Sequence, residues 1–163
     1  MKKAFKVAAV AVGAFATSIS LSTTASAETV YTNDQCSSST RCFGLMYNSR
    51  QSGGFFRTGC FLTNKSEYSH TGYQYSPNGS AVVTVRYQFG NSGITLANGS
   101  GCDNSGLGQG VKNNSAGGSN SDSRSHRVYY NTSYAGPYQT IESGNNENLS
   151  ATLYNQNASS ERL

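Results

Sequence analysis

The sequence predicts an all-β domain, and three observations carry that expectation. Turn-forming Gly, Ser, Asn and Thr are interspersed with short runs of aromatic and β-branched residues, with two prolines and no tryptophan. Such mixing belongs to strands joined by tight connections. Ala81–Phe89 alternates strictly, with Val83, Val85, Tyr87 and Phe89 on one face and Thr84, Arg86 and Gln88 on the other. That is the period of a half-buried strand. Past the N-terminal leader, no segment places its apolar residues at helical spacing.

The leader is read first. Lys2, Lys3 and Lys6 precede an apolar run, Val7–Ala16, and the small-residue site Ala25-Ser26-Ala27. This is the layout of a secretory signal peptide, 1–27. The run falls short of the roughly 20 residues that a membrane span needs. Export and release are therefore expected, with no membrane partner after cleavage, an extracellular location and a single domain over 28–163.

Charge changes with that cut. Of twelve basic residues three lie in the leader, so nine face eight acidic residues in the rest. With no Lys/Arg cluster left to neutralise a phosphate backbone, nucleic acid is excluded as a partner. Cys36, Cys42, Cys60 and Cys102 all follow the leader. An even count in an oxidising compartment implies two disulfides. Three pairings are open; the short spacing of Cys36 and Cys42 suits a local loop, which favours Cys36–Cys42 with Cys60–Cys102.

Along the chain, Glu28–Asp34 is a lead-in where Val30 and Tyr31 can start a strand. Cys42–Tyr47 is a short apolar strand, Asn48–Gly54 a turn, and Phe55–Leu62 a buried return strand. Asn64–Ser80 is polar, with a turn at Pro77-Asn78-Gly79-Ser80. Ile94–Ala97 is a brief strand and Asn98–Gly110 a glycine-rich loop. Val111–Ala116 is expected to be a strand, and Gly117–Ser125 a flexible linker of small polar residues. Arg127–Asn131, Pro137–Ile141 and Leu149–Tyr154 are further strand candidates, with a turn at Gly144–Asn146.

One pattern occurs twice. Tyr47-Asn48-Ser49 with Gly53 and Phe55 repeats the spacing of Tyr130-Asn131-Thr132 with Gly136 and Tyr138. The expected reason is a hairpin folded back at a positive-φ glycine, with an aromatic ring packed over it. The pattern divides the domain into a first unit, about 36–116 with an insertion about 64–101, and a second, about 127–160.

Paired units of this kind resemble the βγ-crystallin Greek key. Cys42-Phe43-Gly44-Leu45-Met46-Tyr47-Asn48, Gly108-Gln109-Gly110-Val111-Lys112-Asn113-Asn114, Val128-Tyr129-Tyr130-Asn131 and Asn155-Gln156-Asn157-Ala158 together resemble the secreted actinobacterial peptidase (metalloproteinase) inhibitor family. The resemblance implies a βγ-crystallin-like Greek-key sandwich with two disulfides, an extracellular protease as protein partner, a monomer and no cofactor.

Enzyme activity is not expected. His70 and His126 lie in no catalytic motif, and His126, in Ser-Arg-Ser-His-Arg, reads as a solvated loop residue. Inhibition has a physical route: a rigid disulfide-flanked loop enters a protease cleft as a substrate does and loses little entropy on binding. Zinc proteases of the thermolysin type favour a large apolar residue after the cut bond. Cys60, Phe61 and Leu62 are the candidate inhibitory loop, with Cys42 and Phe43 as the alternative and a strand core as the competing reading. Asn155, Asn157 and Ser159 approach a βγ-crystallin calcium pattern, but without a carboxylate any affinity should be weak. An extracellular binding module or antimicrobial toxin-like protein, with exposed tyrosines stacking on sugars, is the remaining alternative.

Overall fold

A computed structural model describes residues 27–38, 40–79 and 81–163. The expected leader, up to Ser26, lies outside the described residues. Within the described residues thirteen strands follow one another: β1 (Glu28–Thr32), β2 (Asp34–Gln35), β3 (Phe43–Met46), β4 (Arg57–Thr58), β5 (Cys60–Thr63), β6 (Gly72–Tyr75), β7 (Val83–Tyr87), β8 (Gly101–Cys102), β9 (Gly117–Asn120), β10 (His126–Asn131), β11 (Ala135–Ile141), β12 (Asn146–Asn148) and β13 (Ser159–Arg162). Among the described residues there is no helix, and the fold is all-β. The strands form small sheets in the orders β12-β9-β3-β5-β2, β1-β7-β6, β11-β10-β13 and β4-β8.

The five-stranded sheet is the centre, because both of its faces are covered. Phe43 and Leu45 of β3 and Phe61 of β5 enter one core with Val85, Tyr87, Val128, Ile141, Leu149 and Leu153. Their neighbours Met46, Cys60 and Leu62 point the other way, into a second cluster with Cys42, Phe56 and Leu96. A strand buried on both faces reads as an unbroken apolar run rather than an alternation. That is why Phe43-Gly44-Leu45-Met46 and Cys60-Phe61-Leu62 look as they do. The first core draws on both sequence halves.

Strand β7 follows its predicted alternation, with Val83, Val85 and Tyr87 buried and Arg86 exposed. It pairs in parallel with β1 and antiparallel with β6, so the lead-in and the polar insertion build a sheet together. Both disulfides take the favoured pairing, Cys36–Cys42 and Cys60–Cys102.

Several expectations are corrected. Gly117–Ser125 is no linker: its first half is β9, wholly buried between β3 and β12. A Cβ on Gly117 would strike the Phe56 ring, and one on Gly118 would strike Ile141 and Phe43. The glycines are there because large side chains lie flat on the strand, the close-approach use of glycine in a sheet. Val111–Ala116 and Leu149–Tyr154 are turns and bends rather than strands, and Ile94–Ala97 contributes a single bridge, Thr95 with Gly101. The last strand is β13, which lies beside β10. Within the insertion, β6 is a strand that the polar sequence concealed.

Candidate functional site

The Cys60–Cys102 disulfide joins the buried strand β5 to the half-buried end of β8. Directly after it, Asp103–Gln109 forms a surface loop pinned along its length. The Asp103 N–H donates to the Thr58 carbonyl at 3.0 Å, and the Asp103 carboxylate accepts the Ser105 N–H at 2.7 Å. Two consecutive turns follow, Leu107 N–H to Asn104 O at 3.2 Å and Gln109 N–H to Gly106 O at 2.9 Å. The far end is stitched to β7's continuation, with Gly108 N–H donating to Phe89 O and Phe89 N–H to Gln109 O. Gly106, at φ +72°, lies under the Tyr47 ring, where a Cβ would collide. At the tip Leu107 is 61% exposed. A large apolar side chain is thus held in solvent by a fixed backbone.

The residues expected to supply a reactive bond lie elsewhere. Cys60, Phe61 and Leu62 are fully buried in β5, and the alternatives Cys42 and Phe43 are fully buried at and within β3. The Phe61 ring packs 4.4 Å from that of Tyr87, and Phe43 stacks on His126 at 4.5 Å. Their backbones are hydrogen-bonded within the five-stranded sheet. A protease cleft cannot reach either bond without opening that sheet. Apolar residues after a disulfide cysteine signal core here, and the competing strand reading was the right one.

The repeated motif folds in two ways. Tyr130 and Asn131 end β10 and Gly136 and Tyr138 belong to β11, a direct hairpin with a bulge at Tyr129/Asn131. Gly136, at φ +82°, packs against the Asn131 amide. Tyr47 and Asn48 instead leave β3 into a longer connection, where Gly53 has φ +105° with open space around it and Phe55 is half exposed. Positive φ occurs at both glycines, as expected. The covering ring does not: Tyr47 covers Gly106. A shared spacing fixed the turn conformation but not what packs on it.

Both histidines are buried, which corrects the solvated reading of His126. His126 sits in β10, stacked on Phe43, with Nε2 2.9 Å from Asp122 Oδ2. Arg162 reaches the same carboxylate with Nε and Nη2. Burial pushes the Asp122 pKa up, but the hydrogen bonds from Arg162 and His126 outweigh it and hold the carboxyl well below its usual range. Burial also lowers the His126 pKa against the pull of Asp122, so the ring is neutral with its proton on Nε2. Its Nδ1 is buried without a partner among the described residues.

His70, Ser160 and Asn157 converge in the interior like a catalytic triad, with Nε2 3.1 Å from Ser160 Oγ and Nδ1 2.9 Å from Asn157 Nδ2. The hydrogen bonds decide its chemistry. Asn157 Oδ1 accepts the Ser115 N–H and its Nδ2 donates to Val111 O, which fixes the amide orientation. His70 Nδ1 must then accept, so Nε2 carries the proton and donates to Ser160. A base with its proton already facing the serine cannot take another. All three residues are fully buried, and burial lowers the His70 pKa to about 3. The cluster is a structural clamp.

The calcium candidates are drawn into the same packing. Asn157 is buried with its amide used as above, and Ser159 Oγ donates to Asn131 O at 2.6 Å and accepts the Tyr134 N–H. Asn155 is exposed at φ 54°. The polar atoms of Asn157 and Ser159 are thus engaged within the fold. The sequence also gave no sign of Glu67, a buried carboxylate in the polar insertion that accepts hydrogen bonds from Thr63 and Tyr87 hydroxyls at 2.6 Å each.

No protein-family model, curated protein or solved structure matches this chain.

Proposed function

We propose that the protein is a secreted, monomeric inhibitor of an extracellular metalloprotease, acting through Asp103–Gln109 in place of the buried cysteine–phenylalanine peptides. One observation carries the reading: Leu107 stands 61% exposed at the tip of a loop anchored by a disulfide and by backbone hydrogen bonds at both ends. A zinc protease that prefers a large apolar residue after the cut bond would seat Leu107, with Gly106–Leu107 at the metal. The tethered loop keeps the two halves of that peptide together, so that cleavage is slow and religation competes with it. Little backbone entropy is lost on docking because the loop is already ordered. The leader at 1–27 and the two disulfides support export. The fold we read as a βγ-crystallin-like Greek-key arrangement, supported by the five-stranded sheet, the β11-β10-β13 sheet and the positive-φ glycines of the two hairpin connections.

The experiment is a titration of a thermolysin-type zinc protease with the purified protein, followed through a peptide substrate. Wild type is expected to inhibit at micromolar concentration or below. Leu107→Ala should weaken inhibition about tenfold or more, equivalent to about 1.4 kcal/mol. Because Leu107 is exposed, the variant should melt like wild type. Unchanged protease activity at micromolar protein, across a panel of zinc proteases, would overturn the proposal.

A further inference from the structure

A second feature of the surface is independent of that loop. A cleft of about 460 Å³ opens beside Glu67, and Tyr68, Tyr73 and Tyr87 line it. Its floor is rigid, because Glu67 and Ser160 exchange backbone hydrogen bonds and so tie the insertion to β13. Two sets of neighbouring tyrosine rings lead off from the cleft. In one, Tyr87, Tyr73 and Tyr75 follow at ring separations of 6.2 and 6.0 Å. In the other, Tyr68, Tyr134, Tyr129 and Tyr138 follow at 6.0, 6.0 and 5.6 Å. Tyr68, Tyr73, Tyr75 and Tyr138 are each about half exposed or more, whereas Tyr87 and Tyr129 are buried and link them from beneath.

We propose that this band is a binding site for an extended oligosaccharide, whose sugar units stack on the exposed tyrosines Tyr68, Tyr73, Tyr75 and Tyr138 while one unit places its hydroxyls against Glu67. The chemistry matches on each count. A pyranose presents an apolar C–H face and a rim of hydroxyls; tyrosine rings take the face, and a carboxylate and amides take the rim. Glu67 keeps acceptor capacity, since each oxygen already holds one hydroxyl donor and a carboxylate oxygen accepts two. The Gln35 side chain, which lines the same cleft, forms no hydrogen bond among the described residues and is free to read a hydroxyl. A cationic ligand fits less well, because Lys65 lines the cleft as well and Glu67 shares its charge with two hydroxyls. Burial also raises the Glu67 pKa against those hydrogen bonds, which further favours a neutral ligand.

The test is isothermal titration of the purified protein with chitohexaose, cellohexaose and maltohexaose, and with tetramethylammonium as the cationic probe. Saturable binding of at least one hexaose is expected. Tyr68→Ala and Tyr73→Ala should each weaken it about tenfold, as loss of a stacking platform does, and Glu67→Gln should weaken it too. Tyr154→Ala, an exposed tyrosine outside the band, should bind like wild type. Absence of hexaose binding at about 1 mM ligand would overturn the proposal. So would wild-type affinity in both Tyr68→Ala and Tyr73→Ala, or binding of tetramethylammonium in place of the sugars.

Discussion

Acid should unfold this protein chiefly through His70. The imidazole is fully buried and its pKa falls from 6.5 to about 3, burial being the main cause. The unfolded chain therefore binds a proton below pH 6.5 that the folded chain refuses until about pH 3. Between those limits stability falls as pH falls, by up to about 1.4 kcal/mol per unit and about 5 kcal/mol in all. That is comparable to the whole stability of many domains of this size. His126, also lowered, acts in the same direction, and Asp122 adds a loss once the pH approaches the ordinary carboxylate range. Glu67, raised by burial, opposes them, since its folded form takes up a proton first and gains stability as pH falls. The measurement is urea unfolding from pH 7 down to 4, on wild type and His70→Gln. The variant should be less stable at pH 7, where it loses the contacts to Asn157 and Ser160. Its stability should also vary with pH less steeply, by about 1 kcal/mol per unit. Parallel pH profiles for the two proteins, or an NMR titration of His70 near pH 6.5, would refute the reasoning.

Gly118→Ala tests the reading of β9 as a core strand. The new methyl must displace Ile141 and Phe43, so a loss of about 1–3 kcal/mol is expected by chemical denaturation, where a linker would tolerate it. The disulfides should differ in weight. On the chain-entropy model the Cys60–Cys102 bridge, with a sequence separation of 42, contributes about 4 kcal/mol. The Cys36–Cys42 bridge, separation 6, contributes about 2.5 kcal/mol. Paired Cys→Ala variants compared in urea should keep that order, and the reverse order would show that loop length does not govern here.

The sequence by itself determined what depends on local pattern. Alternation over Ala81–Phe89 marked β7 and the apolar run Cys42–Tyr47 marked β3, while the run Phe55–Leu62 covers two strands, β4 and most of β5, rather than one. Cysteine spacing favoured the disulfide pairing that forms. Turn chemistry marked Asn98–Gly110 as loop, which misses the short strand β8 within it and that Leu107 would stand exposed beyond that strand. The tertiary structure decided what depends on partners distant in the chain. Gly117 and Gly118 lack side chains in order to receive Phe56, Phe43 and Ile141. In composition that looks the same as a flexible linker. His70 is silenced by Asn157 and Ser160, far along the chain, so no local motif could show whether it is a base or a clamp. Phe61 could be bait or core, and only the covering of both faces of the central sheet made it core. The tyrosine band joins residues from β6, β7, β10, β11 and the insertion. Its spacing exists in space and not in sequence, because strand pairing, not chain order, sets which rings become neighbours.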